Sequence, residues 1–178
     1  MSNEISYGLS NLYYALKSGS SYATPKPLPG AVKINLTPEE YVLTFTGLDC
    51  IPREKASIVY GYKGSVVIAG LPADFYKDIY GYVPSSSGGI IEKVSSSMIE
   101  SAILFETDGD PVTRHCYYSC RFGAHEFAAE TKTQSVSVST ITVPLTIRED
   151  SQKRLKHILP NNNNNNSGAY QNWFKAVQ

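Results

Sequence analysis

Apolar and polar residues alternate along most of this chain, and only between Ser57 and Val83 does a strand pattern hand over to a helix pattern. In the first half of that stretch Ile58, Tyr60, Tyr62, Val66 and Ile68 repeat with period two, the signature of a strand with one buried face. Gly61 and Gly64 interrupt it and predict a bend or bulge. After Gly70, Phe75, Tyr76, Ile79 and Tyr80 recur at helical spacing, with Pro72 and Asp74 suited to the start and Gly81 to the stop. A helix over about residues 72–80 would be roughly 14 Å long and too short to stand alone, so its Phe75/Ile79 stripe must rest on a sheet.

The rest reads as strands, turns and tails. Residues 1–6 are a polar arm, and Tyr7 to Lys17 is a first strand with Leu12, Tyr14 and Leu16 on one face. Ser18 to Gly30 carries Pro25, Pro27 and Pro29 and reads as an extended loop. Val32, Ile34 and Leu36 restore the strand period, which Thr37-Pro38 is expected to close. Tyr41 to Thr46 is strand-like, with Glu39-Glu40 in a hairpin connection, and Gly47 to Ala56 is a second long loop with apolar Leu48, Cys50 and Ile51. Ile90 to Val94 is a short strand. Met98 to Thr107 and Val112 to Phe122 flank an Asp-Gly pair, the strongest hairpin signal present. From Glu126 to Ile147 the apolar phase slips at Ser139-Thr140, which predicts a bulge there, and Pro144 falls on the polar face as on an edge. Arg148 to His157 is charged and expected to exit the fold. Asn161 to Asn166 is an asparagine run that builds no core, and Tyr170, Trp173 and Phe174 follow it as an aromatic arm seeking a partner.

This pattern predicts a mainly β fold: a β-sandwich or half-barrel of two packed sheets flanked by one short helix. The chain of 178 residues suits one domain over residues 1–160, followed by an asparagine-rich linker and aromatic arm over 161–178. Only 18% of residues are charged, and there are 13 tyrosines, a mixture that favours strands. The formal net charge is +0, which offers no electrostatic case for gripping nucleic acid or an anionic membrane. No secretion signal or membrane span is evident, and three cysteines do not suggest a disulfide framework.

Candidate chemistry is thin. His115, Cys116, Cys120 and His125 lie close together, but on a strand Cys116, Tyr118, Cys120 and Phe122 would share one face and His115, Tyr117, Ser119 and Arg121 the other, which splits any zinc set. Glu106, Asp108 and Asp110 fit a solvated turn better than a calcium loop. No nucleophile elbow, P-loop or HExxH pattern is present, and His157 is expected to be solvated. No enzyme activity, metal or cofactor is expected. The tyrosines serve a strand-rich fold well, and a sugar platform is the functional alternative.

The segments YGLSNLYYAL, PLPGAVKINLTPE, GLPADFYKDIYGYV, AILFETDGDPVTRHCYYSC and AAETKTQSVSVSTITVPLTI, in this order, together resemble the major tail or tail tube proteins of long non-contractile-tailed bacteriophages. The resemblance spans Tyr7 to Ile147 and rests on soft patterns. It implies hexameric rings whose inner strands join into one barrel, stacked into a tube that conducts DNA. Implied partners are further copies of the chain, the tape measure protein, the tail terminator and distal tail proteins, with DNA passing unbound and no membrane. The protein would be made in the host bacterial cytoplasm and end in the virion tail.

In such families a long loop and the terminal arms bridge rings. Here these correspond to Pro38 to Ala56, residues 1–6 and the part after Arg148. The contact candidates between subunits or rings are therefore Leu48, Cys50, Ile51, Arg53, Tyr170, Trp173 and Phe174. Truncation before Asn161, or replacement of Leu48 and Ile51 by Asp, is expected to weaken ring stacking while leaving the monomer fold intact. The alternative reading is a tyrosine-rich β-sandwich adhesin or carbohydrate-binding module.

Overall fold

The computed structural model describes residues 6–46, 52–94, 97–128, 139–161 and 167–178. Helix α1 forms at Ala73–Tyr80, with Pro72 extended at its N-cap and Gly81 in the left-handed conformation at φ 68° closing it. Left-handed backbone favours glycine because a Cβ would clash there. Phe75 and Ile79 are fully buried, as the spacing requires. Phe75 meets Tyr14 edge-on at 5.2 Å and Phe122 at 5.0 Å, and Tyr14 Oη donates to Asp78 at 2.9 Å. The helix thereby ties together strands far apart in sequence.

Those strands are β1 (Ser6–Ser18), β2 (Ser21–Tyr22), β3 (Lys26–Pro27), β4 (Ala31–Thr46), β5 (Pro52–Ile68), β6 (Val83–Pro84), β7 (Ile90–Ile91), β8 (Ser101–Gly109), β9 (Thr113–Phe122), β10 (Ile141–Arg148) and β11 (Lys156–Pro160); a second helix, α2, spans Ser167–Gln171. The fold is mainly β with a short helix. Nine strands form one sheet in the order β2-β1-β8-β9-β10-β5-β4, with β3 added on β1 and β11 on β9, while β6 and β7 make a separate pair. Every pairing among the described residues is antiparallel. Leu12, Tyr14 and Leu28 from one end of the order share a core with Val66 and Ile68 from the other end, so the sheet curls into a half-barrel. Helix α1 buries its stripe in that same core.

The central strands are apolar on both faces. On β8, Ile103 and Phe105 enter the half-barrel core, while Ala102 and Leu104 belong to a second cluster on the opposite face. On β9 the expected face assignment fails partway. Cys116 and Tyr118 join the second cluster, whereas Tyr117, Cys120 and Phe122 join the first. The cause is a bulge at Ser119, whose φ is 46°. Ser101 faces Cys120 and Ile103 faces Tyr117, so three steps on β9 oppose two on β8.

Other expectations are corrected by pairing that leaves little mark on hydrophobic period. Strand β4 continues through Thr37-Pro38, with Pro38 opposite Tyr62, and tolerates proline because it is the edge strand. The loop expected over Gly47 to Ala56 is shorter, since Pro52 to Ala56 belong to β5. A bulge does sit beside Gly61, where Glu39 pairs with Gly61 and Glu40 with Val59. Gly64 serves close approach instead, because a Cβ there would overlap the Asn35 carbonyl. The loop expected over Ser18 to Gly30 contains β2 and β3, folded back on β1.

Ser139 and Thr140 precede β10 and are not in a strand, so the predicted bulge is absent there; Val136 and Val138 lie outside the described residues. Pro144 faces outward as expected, just past the last β9 partner of β10. Arg148 to His157 does not exit. Asp150 is 7% exposed and accepts from the backbone N–H groups of Gln152 and Arg154 and from Arg154 Nε, at 2.8–2.9 Å. Burial would raise the Asp150 carboxyl, but these bonds to Gln152 and Arg154 hold it below the ordinary value. That turn sends the chain back to β9 as β11.

Replacing Phe75 or Ile79 by alanine is expected to lower stability by about 2–5 kcal/mol each, read by chemical denaturation. A change under about 1 kcal/mol for both would show that α1 is not bound into the core.

Candidate functional site

Two surfaces carry functional potential. The first is the far end of the β4–β5 hairpin. Strand β10 accompanies β5 only as far as the Arg148–Gly61 pair, and β4 has no strand on its other side. Beyond Gly61 the two strands run on as a ribbon, pairing Glu40 with Val59 and Tyr41 with Ile58 out to Thr46 with Pro52. At about 3.3 Å per residue it projects roughly 20 Å. One face is apolar, with Tyr41, Leu43, Ile58 and Tyr60 40–47% exposed, while the other mixes exposed Val42 and Val59 with Glu40 and Ser57, whose hydroxyl donates to the Glu40 carboxylate. A two-stranded ribbon is marginal in water, and one with a bare apolar face invites another chain.

The root of the ribbon is fixed. Arg148 pairs with Glu39 at 2.6 Å and stacks over Tyr60 at 5.4 Å. The expected contact residues Leu48, Cys50 and Ile51 lie outside the described residues, as does the side chain of Arg53, whose backbone pairs with Phe45. The neighbouring apolar run on both strands escaped the sequence reading. Three consecutive apolar residues, Tyr41-Val42-Leu43, were the available signal, because a strand with one wet face alternates.

The second surface is the outer face of β1, β8 and β9, where the C-terminal arm docks. Trp173 is fully buried against Ala15, Ala102, Leu104, Cys116 and Tyr118. Phe174 stacks on Tyr13 at 4.7 Å. The Arg114 guanidinium lies 3.7 Å from the Tyr170 ring centroid and donates to the Tyr170 carbonyl, while its Nε donates to Glu106 at 2.6 Å. Tyr118 Oη donates to the Gln178 backbone oxygen at 2.8 Å. The arm was expected to seek a partner; the structure supplies one from its own chain. Truncation before Asn161 would therefore strip a core face, contrary to the expectation of an intact monomer.

The histidine and cysteine candidates are dispersed. His115 stacks on Phe105 at 4.9 Å and meets Thr107 Oγ1 at 3.1 Å. His157, expected to be solvated, is half-buried and packs on Trp173 at 4.9 Å. Burial pushes the Cys116 thiol up to about 12 and Cys120 well above its ordinary value, so both remain protonated and unreactive. Among the described residues no three metal-ligating side chains converge. No helix among them is long and apolar enough to cross a membrane.

No family model and no curated protein matches the sequence. Among solved structures, the cryo-EM structure of the anti-feeding prophage cap, described as a tube-terminating cap, aligns with a TM-score of 0.50 at 6% identity, covering 90% of this chain and 95% of that one. At that identity the likeness establishes the shared fold.

Trp173→Ala is expected to cost about 3–5 kcal/mol. Trp173→Phe should cost less, because Trp173 Nε1 is buried with no hydrogen-bond partner among the described residues. Equal melting temperatures for wild type and Trp173→Ala would show that the arm does not stabilise the sheet.

Acid should also loosen the sheet on both faces, at His157 beside Trp173 and at His115 beside Phe105. Burial, helped by Lys156 near His115 and Arg154 near His157, holds both imidazoles below their ordinary 6.5. The unfolded chain then binds more protons, so stability is full above about pH 6.5 and falls as pH drops towards the folded values. Urea midpoints measured between about pH 7 and pH 5 should fall, less steeply in His157→Gln. A flat profile would contradict the assignment.

Proposed function

We propose that this chain is a structural subunit of a bacteriophage tail, without enzyme activity, that assembles into rings stacked as a tube. The apolar β4–β5 ribbon carries the reading. Burial of its Tyr41–Ile58 face against another copy removes exposed hydrophobic area and protects a two-stranded edge at once. The tube-terminating cap with a similar fold supports a tail role in general, and the resemblance to tail tube proteins supplies the finer reading. That finer reading comprises hexameric rings, inner strands joined around a lumen, a DNA conduit, and contacts with tape measure, terminator and distal tail proteins in the virion. A net charge of zero suits a wall that lets DNA slide past.

The cap itself is the second reading. A tube subunit needs contacts on both ends of its ring, whereas a cap needs them on one. Electron microscopy of purified protein separates the two, since a tube subunit yields extended tubes and a cap yields single rings.

Tyr41→Asp combined with Ile58→Asp is expected to abolish rings and tubes in micrographs. Thermal melting of the dissociated protein should change little, because both positions are exposed. Tubes of wild-type length from the double variant would refute the ribbon as the assembly contact.

A further inference from the structure

A cleft of about 600 Å³ opens beside α1, between the Tyr76 face of the helix, the segment Ala124 to Ala128 and the start of β10. That volume is in the range of small-molecule sites. One wall is aromatic and rigid. Tyr80 Oη donates to the Gly123 carbonyl at 2.9 Å, which leaves its oxygen to accept from His125 Nδ1–H at 3.4 Å. His125 Nε2 is then an acceptor, and Tyr76 Oη donates to it at 3.4 Å. This relay, with Tyr82 stacked on Tyr76 at 5.5 Å, holds the Tyr76 ring in place before any ligand arrives. At the cleft, Phe127 is 88% exposed. The opposite wall is lined by Ser139, Thr140 and Thr142, each bearing a hydroxyl, and Glu126 lines the cleft with one carboxylate.

We propose that this cleft binds a neutral saccharide, with one pyranose face against Tyr76 and Phe127 and its hydroxyls bonded to Thr142, Thr140 and Glu126. The chemistry selects this class. No lysine or arginine lines the cleft among the described residues, so phosphate, sulfate and nucleic acid find no counter-charge. A lipid would leave the three hydroxyls and the carboxylate buried without partners. A quaternary ammonium would suit the rings and Glu126 but would leave the hydroxyls unused. A sugar matches both walls, because its C–H face carries partial positive charge towards the negative aromatic face and its hydroxyl edge both donates and accepts. This proposal stands independently of the tail reading, since it concerns a different surface from the ribbon and the arm.

The test is titration of the full chain, followed by NMR or calorimetry, with a panel of neutral di- and oligosaccharides built from glucose, galactose, mannose and N-acetylglucosamine, and with choline and inorganic phosphate as controls. At least one saccharide should bind saturably. Phe127→Ala should weaken it about tenfold or more, and Thr142→Val should weaken it measurably. Both positions are exposed, so both variants should melt as wild type does. Absence of saccharide binding at millimolar concentrations, binding unchanged in both variants, or saturable binding of choline or phosphate alone would each overturn the proposal. Tube formation is scored separately in micrographs, so its outcome leaves this result distinct.

Discussion

Strands β8 and β9 are apolar on both faces, and the rest of the molecule is arranged to cover them twice. A sheet with one wet face needs a single cover and reads as strict alternation, whereas the runs Ala102-Ile103-Leu104-Phe105 and Cys116-Tyr117-Tyr118 leave no polar side. On one side the sheet curls until β1 and β5 share a core, and α1 fills the remaining space with Phe75 and Ile79. On the other side the C-terminal arm lays Trp173 over Ala102, Leu104 and Cys116. The bulge at Ser119 reconciles the two covers. It turns Cys120 and Phe122 towards the half-barrel core after Cys116 and Tyr118 have faced the arm.

The β4–β5 ribbon breaks this economy. Every other large apolar run in the described sheet is covered from within the chain, but the ribbon extends past its last neighbour with Tyr41 to Leu43 and Ile58 to Tyr60 in water. A monomer gains nothing from such an extension, which adds aggregation risk without adding core. An assembly gains a ready contact. The arm, by contrast, is committed within its own subunit by Trp173, so the two segments that resemblance groups together as bridges differ in what the fold leaves them free to do.

Much of the fold was legible because local chemistry and tertiary packing agree there. Phe75 and Ile79 with Pro72 and Gly81 marked the helix, and Asp108-Gly109 marked the β8–β9 hairpin. The features that stayed hidden depend on partners remote in sequence. Nothing local distinguishes Asp150 as the buried anchor of a return turn from one more acid in a charged exit segment. Residues Pro52 to Ala56 form strand although the sequence Pro-Arg-Glu-Lys-Ala carries no apolar alternation, and Ser119 gives no residue-level hint of a left-handed backbone. Of the contact candidates, Trp173 and Phe174 were visible as residues needing burial, but the Arg114–Tyr170 and Tyr13–Phe174 stacks that receive the arm come from strands more than 50 residues away in sequence. The cleft was foreshadowed only by an excess of tyrosine, since Tyr76, Tyr80 and His125 meet across a loop.

The central claim is that the uncovered ribbon is completed by further copies of this chain. The most direct measurement is the molar mass of the purified wild-type protein by light scattering over a wide range of concentration. Mass should rise with concentration from the 19.5 kDa monomer towards ring-sized and larger species. A single monomeric mass at every concentration would contradict the account.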